Sequence, residues 1–175
     1  MKKITLLIAI FLSFVIQGNA QLLTQDFNTA LTWTVGHPTG TSTNAGWTRQ
    51  TTGGNPTATP FGAGMARFNS FSINVENAYD LNSPAIAFAG GSYRVTFKMF
   101  RENSYIDPLL LDKISVYYNT TATSVGGTLL GTVNRPTIAE PIVTANGWYT
   151  YSFNIPGNPT GPGYISFLAT TAYGS

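Results

Sequence analysis

Along residues 92–101 apolar and polar side chains alternate: Tyr93, Val95, Phe97 and Met99 fall on one side of an extended chain, Arg94, Thr96 and Lys98 on the other. An extended backbone sends successive side chains to opposite faces, so this alternation predicts a strand with one face buried. The same period runs through 113–118, with Ile114, Val116 and Tyr118 inward, and through 148–155, with Tyr149, Tyr151, Phe153 and Ile155 inward. It returns in 164–170 with Ile165, Phe167 and Ala169. Shorter strands are predicted at 31–35, 47–51, 65–69, 85–89 and 128–133. Beyond residue 20 no stretch carries a capped i, i+3, i+4 apolar stripe, so the expected class is all-β. Many short strands separated by turns favour a two-sheet antiparallel β-sandwich.

The separators at 36–46, 52–64, 120–127 and 156–163 are rich in Gly, Pro, Thr and Asn. They read as surface loops, the places where a rigid sandwich usually carries its binding residues. Residues 1–20 have a different character. Lys2 and Lys3 precede an apolar run from 4 to 16, and Gly18-Asn19-Ala20 supplies small residues for cleavage, the pattern of a signal peptide that leaves a product starting at Gln21. The run is shorter than the ~20 residues a bilayer-spanning helix needs. No later stretch is long and apolar enough, so no membrane span is expected after cleavage. Residues 21–175 are then expected to form one domain, secreted or held at the cell surface.

Composition narrows the function classes. Lys and Arg number 9 against 7 Asp and Glu, and because Lys2 and Lys3 belong to the leader, the rest of the chain is charge-balanced. Without a basic patch to neutralise phosphates, no nucleic-acid partner is expected. Charged residues make up 9% of the chain where about 25% is usual. Hydrophobic residues reach 43% and aromatics 13%, so the chain can build a core and disorder is not expected. The absence of Cys removes disulfides and thiolate zinc, and His37 as the single imidazole removes a His-based transition-metal site.

The carboxylates give little support to catalysis. Asp107 precedes Pro108 and reads as a turn residue, whereas Asp112 opens a strand. A glycosidase needs two carboxylates about 5 to 9.5 Å apart across a cleft, and no second acid is placed to supply one. A Ser-His-Asp triad would have to use His37, which lies in GHPTGTSTN without a nucleophile elbow and reads as a solvated loop residue. Glu76, Asp80, Glu102 and Glu140 read as loop or edge residues. Trp33, Trp47 and Trp148 offer flat faces for sugar stacking, but Trp47 and Trp148 each follow Gly and lead a strand, which favours the core. Trp148 nevertheless falls on the face opposite Tyr149, Tyr151 and Phe153. Asn119-Thr120-Thr121 fits a glycosylation acceptor pattern and reads as a polar turn.

In chain order the landmarks are Asp26-Phe27-Asn28, Gly46-Trp47, Gly64-Met65-Ala66-Arg67-Phe68-Asn69, Leu81-Asn82-Ser83-Pro84-Ala85-Ile86, the strand SYRVTFKMF, Leu111-Asp112-Lys113-Ile114-Ser115-Val116, Gly147-Trp148 and Tyr164-Ile165-Ser166-Phe167. This order resembles the MAM-like jelly-roll modules of secreted Bacteroidetes-type proteins, the choice-of-anchor J group related to the cleaved-adhesin domains. The resemblance implies a two-sheet antiparallel jelly roll with no chemistry of its own. The function it implies is a secreted or cell-surface adhesion or ligand-binding module whose partner is an extracellular protein or glycan. The alternative is a carbohydrate-binding module of a secreted polysaccharide-degrading enzyme. Family members often hold a structural calcium, and the matching positions here are Asp112 and, at the opening step, Asn28 beside Asp26. Asn28 stands where the family has an acid, and the family's I-D-D step has no counterpart before Ser175. The family pattern places one more strand after Gly174, so the domain is expected to lack its last strand and to leave an opening strand near 23–27 short of pairing.

Overall fold

The computed structural model describes residues 21–44, 46–54, 57–73, 77–103 and 111–172. Ten strands follow one another: β1 (Thr34–Thr39), β2 (Trp47–Gln50), β3 (Met65–Phe68), β4 (Ala78–Asn82), β5 (Ile86–Ala89), β6 (Tyr93–Arg101), β7 (Lys113–Asn119), β8 (Thr128–Asn134), β9 (Gly147–Ile155) and β10 (Thr160–Thr170), with one 3-10 turn at Ser70–Ser72. The fold is the expected all-β antiparallel jelly-roll sandwich. Its larger layer has the order β1-β4-β10-β7-β8, and β5 pairs with the first part of β10. Facing it are two antiparallel ribbons, β6 with β9 and β2 with β3.

Alternation decides which side faces in. Along β6 the odd positions are the more buried and Arg94, Thr96 and Lys98 are exposed; β9 does the same with Tyr151 and Phe153 against Thr150 and Ser152. Phe97 of β6 crosses to Phe167 of β10 edge-on, ring centres 5.0 Å apart, which joins the layers. The second ribbon is fastened by Trp47, whose ring packs on Phe68 and whose Nε1 donates to the Tyr79 carbonyl at 2.9 Å. Val116 and Val133 are fully buried within the larger sheet.

Several strands differ from their sequence-based expectation. The strand expected at 31–35 starts at Thr34 and runs through Gly36-His37-Pro38 to Thr39, so His37 lies on a strand rather than in a loop. Residues 23–27 form no strand. β4 was not predicted, and all five of its residues are buried. β10 starts four residues early, in the Gly-Pro segment read as a loop.

Candidate ligand-binding face and carboxylate sites

Asp112 sits just ahead of β7, beside the ends of β6 and β8. The backbone brings these ends together: Arg135 N–H donates to the Asp112 carbonyl at 2.8 Å, and Glu102 N–H to the Arg135 carbonyl at 3.3 Å. The side chains continue the clamp. The Arg135 guanidinium contacts Glu102 Oε1 and lies 3.1 Å from Asp112 Oδ2. Ser70 Oγ donates to that same oxygen at 2.7 Å, and Ala172 N–H donates to Oδ1 at 2.9 Å. Next to this group the fully buried Arg101 donates to the carbonyls of Pro136, Ala139 and Pro141 and to Tyr151 Oη. Two guanidiniums and two carboxylates thus share one buried region, and their charges balance.

Asp26 and Asn28 form a separate arrangement. Asp26 is exposed and accepts from Asn28 N–H at 3.0 Å and Asn28 Nδ2 at 2.7 Å, while Asn28 Oδ1 accepts from Ala63 N–H at 2.6 Å. Together with Arg49, which donates to the Phe27 carbonyl at 2.7 Å, they staple the opening segment to the loop after β2. Calcium requires about six to eight oxygen lone pairs directed at one point. At Asp112 the lone pairs face an N–H, a hydroxyl and a guanidinium, and at Asn28 the oxygen faces an N–H. The Asp112, Asn28 and Asp26 set as placed does not fit calcium. Among the described residues no three His, Asp or Glu side chains gather as a metal would require. Asp107 and Glu76 lie outside the described residues.

The other candidates divide by face. His37 stacks on Tyr79 with ring centres 3.9 Å apart and an interplanar angle of 4°, and its Nε2 lies 3.2 Å from Asn77 Oδ1. Trp47 is core, as expected. Trp33 packs half-buried against the same cluster, between Phe27 and Phe167. Trp148 corrects its expected core placement: it lies on the outer face of the β6–β9 ribbon, opposite Phe100, with ring centres 5.7 Å apart. Its Nε1 donates to the Thr59 carbonyl at 2.8 Å.

That outer face carries a row of aromatic and polar side chains. Trp148 and Phe100 form its aromatic end, and the following rungs pair Lys98 with Thr150, Thr96 with Ser152 and Arg94 with Asn154. Lys98 Nζ lies 3.0 Å from Thr150 Oγ1 and 4.4 Å from the ring centre of Phe61, a residue 68% exposed. Flat aromatic surface next to hydroxyl, amide and cationic groups suits a polar ring-shaped ligand. Phe100 and Phe61 were not singled out from sequence. The available signal was Phe100 itself, an aromatic residue at the parity otherwise held by Arg94, Thr96 and Lys98. A cavity of about 2040 Å³ is lined by Leu23, Phe88, Val95, Phe97 and Phe167 and extends to Lys98, Trp148 and Thr150 of the outer face, which makes it larger than the ~300 to 1,000 Å³ of small-molecule pockets.

The structure is thus a two-layer antiparallel sandwich with an aromatic rung, Trp148 and Phe100, on the outer face of the β6–β9 ribbon. Its fold is similar to the K1 cleaved adhesin domain of Lys-gingipain from Porphyromonas gingivalis W83. The TM-score is 0.53 at 16% identity, over 87% of this chain and 98% of that domain. The K3 cleaved adhesin domain of the same protein gives 0.53 at 18% identity, over 87% and 97%. At such identities the likeness is one of fold. No protein-family model and no curated protein matches the sequence.

Proposed function

We propose that the chain is a non-catalytic adhesion module of the bacterial cell exterior, exported by its first twenty residues, which binds an extracellular protein or glycan. The observation that carries this reading is the likeness of the whole sandwich to two adhesin domains, each matched over nearly its full length. Fold alone does not give function, so the site must supply the rest. The outer face of the β6–β9 ribbon supports the reading: it presents Trp148, Phe100 and Phe61 beside the hydroxyls of Thr150, Ser152 and Thr96. That row favours a second reading as well, a carbohydrate-binding module, because pyranose rings stack on aromatic faces while their hydroxyls bond to polar neighbours.

The test is binding of the full secreted chain to a glycan array and to immobilised extracellular-matrix proteins. Trp148→Ala and Phe61→Ala should each weaken the dominant interaction about tenfold or more, as expected for aromatic anchors at the centre of a contact. A single clear polysaccharide preference would select the carbohydrate module. Binding that both variants leave unchanged would remove this face from the proposal, and turnover of a bound glycan would overturn the non-catalytic reading.

A further inference from the structure

The layer that faces the larger sheet is interrupted. Among the described residues β6 pairs only with β9 and β3 only with β2, so each ribbon keeps one strand edge without a neighbour. The cavity of about 2040 Å³ lies at that break: every residue of β3 lines it, and so does β6 from Tyr93 to Phe100 at both parities, whereas β2 contributes Trp47 alone. β3 and β6 therefore border the space with their backbone edges and not merely with one face. The opening segment 21–28 lines it as well. Its backbone forms no strand and no backbone-to-backbone hydrogen bond among the described residues, although Leu23 packs on the Phe88 cluster and Phe27 on the Trp47 cluster. Backbone donors and acceptors without ladder partners are a template for a further strand.

The side chains around the break say what such a strand would carry. The floor is apolar, with Phe88, Val95, Phe97 and Phe167. The rim is basic: Arg67, Arg94 and Lys98 line the same space, and none of the three forms an ion pair among the described residues. The acids on this lining are engaged elsewhere, Glu102 and Asp112 with Arg135 and Asp26 with Asn28. A second copy offering the same edge would set like charges against one another, which disfavours that pairing. An extended peptide with apolar side chains on one face and acidic ones on the other meets both floor and rim, because successive side chains of a strand point to opposite faces.

We propose that the break between β3 and β6 receives an alternately apolar and acidic segment of an extracellular protein as an added strand. The main chain of that segment pairs along β6, its apolar side chains enter between the layers, and its acidic ones meet Arg67, Arg94 and Lys98. β6 offers nine residues, Tyr93–Arg101, an edge of about 30 Å at ~3.3 Å per residue. In strand addition the main-chain bonds supply affinity and the alternate side-chain positions supply specificity. This inference rests on the adhesion reading and narrows its partner to a protein, held beside the Trp148–Phe100 rung.

The probe is a fluorescent peptide alternating valine and glutamate, matched to the nine residues of β6 and offered to the full secreted chain. Its controls are a valine–lysine twin and two copies, each N-methylated along one edge. The glutamate peptide should bind, slow amide exchange along β6 and raise the melting temperature, because a ligand held only by the folded state stabilises it. The lysine twin should bind about tenfold more weakly or worse, and at least one N-methylated copy should fail. Reversing the rim with Arg67→Glu and Arg94→Glu should weaken the glutamate peptide about tenfold at low salt, where charge counts most. Val95→Trp should block it by filling the floor; if that variant fails to fold, the rim reversal decides alone. The proposal falls if the peptide is refused, if the lysine twin binds equally, or if both N-methylated copies bind like the parent. It falls too if the β6 edge amides are already protected in the free monomer, or if the chain is a dimer that the peptide does not dissociate. Capture of a matrix protein by a chain that refuses the peptide overturns the added strand and leaves the adhesion reading standing. Peptide binding by a chain that captures no matrix protein or glycan supports the strand site and removes the adhesion reading.

Discussion

The residue that carries most electrostatic responsibility is Arg135. Its guanidinium is the cation shared by Glu102 and Asp112, which are 1% and 7% exposed. Removing one partner of a buried pair leaves an uncompensated charge, at a cost of about 3 to 5 kcal/mol. Arg135→Met should therefore destabilise the protein by about that amount, since it strands two carboxylates while preserving much of the side-chain volume. Replacing all three charged groups by apolar residues of matching size should recover much of the loss, because such swaps are often neutral or better. Urea unfolding of the single and triple variants measures both quantities. A single variant within about 0.5 kcal/mol of wild type, the range of ordinary surface substitutions, would show that the cluster contributes little.

At the scale of elements the informative contact joins β8 to β9. Gly131 in β8 faces the Phe153 ring so closely that a Cβ would stand 2.4 Å from its edge. The strand is glycine there because the aromatic side chain of the neighbouring layer fills the space. Gly131→Ala should cost about 1 to 3 kcal/mol through overpacking, and Phe153→Leu in the same chain should return part of it. Additive losses in denaturant unfolding of the double variant would show that the two residues do not couple.

The same close packing explains which strands were legible in the sequence. β6 and β9 alternate cleanly because one face of each meets water, so period two survives in the residue types. β4 did not read as a strand because both its faces are covered: Tyr79 and Leu81 pack inward, while on the other side Asp80 is buried under a loop and Asn82 is buried against Ser166. Polar residues at buried positions break the code that relates polarity to exposure. In β10 the Gly-Pro segment looked like a turn, yet Gly163 is small because Tyr118 and Phe88 would meet its Cβ at 2.7 and 2.9 Å. At the site, Asp112 could be placed at a strand start from local pattern. Its partner Arg135 lies on another strand's end, and no local pattern announces a partner that only the fold brings near.

For the whole molecule, the decisive property is how its layers meet. The larger sheet is continuous from β1 to β8, but the facing layer consists of two separate ribbons, and the inner side chains Tyr93, Val95 and Phe97 of β6 remain only half-buried. A well-packed core fills space at close to crystal density and leaves few voids larger than a water molecule. Here a cavity of about 2040 Å³ is lined by apolar side chains of both layers, with Lys98, Trp148 and Thr150 of the outer face at its rim, while Phe97 with Phe167, Phe88 with Tyr93 and Phe153 with Gly131 join the layers. Solvent-accessible apolar surface of that extent in a folded protein should take up an apolar dye such as anilinonaphthalene sulfonate. Ordinarily that behaviour marks a molten state with fluctuating packing. The two cases separate by a second observable, because a native sandwich with an open cleft keeps its near-ultraviolet circular dichroism and unfolds cooperatively, whereas a molten state loses both. We expect dye fluorescence to rise in native conditions alongside intact aromatic dichroism, and to fall on Val95→Trp, which places bulk in the cleft. A native protein that leaves the dye dark would mean that the layers close onto one another in solution, and the half-burial along β6 would then need another cause.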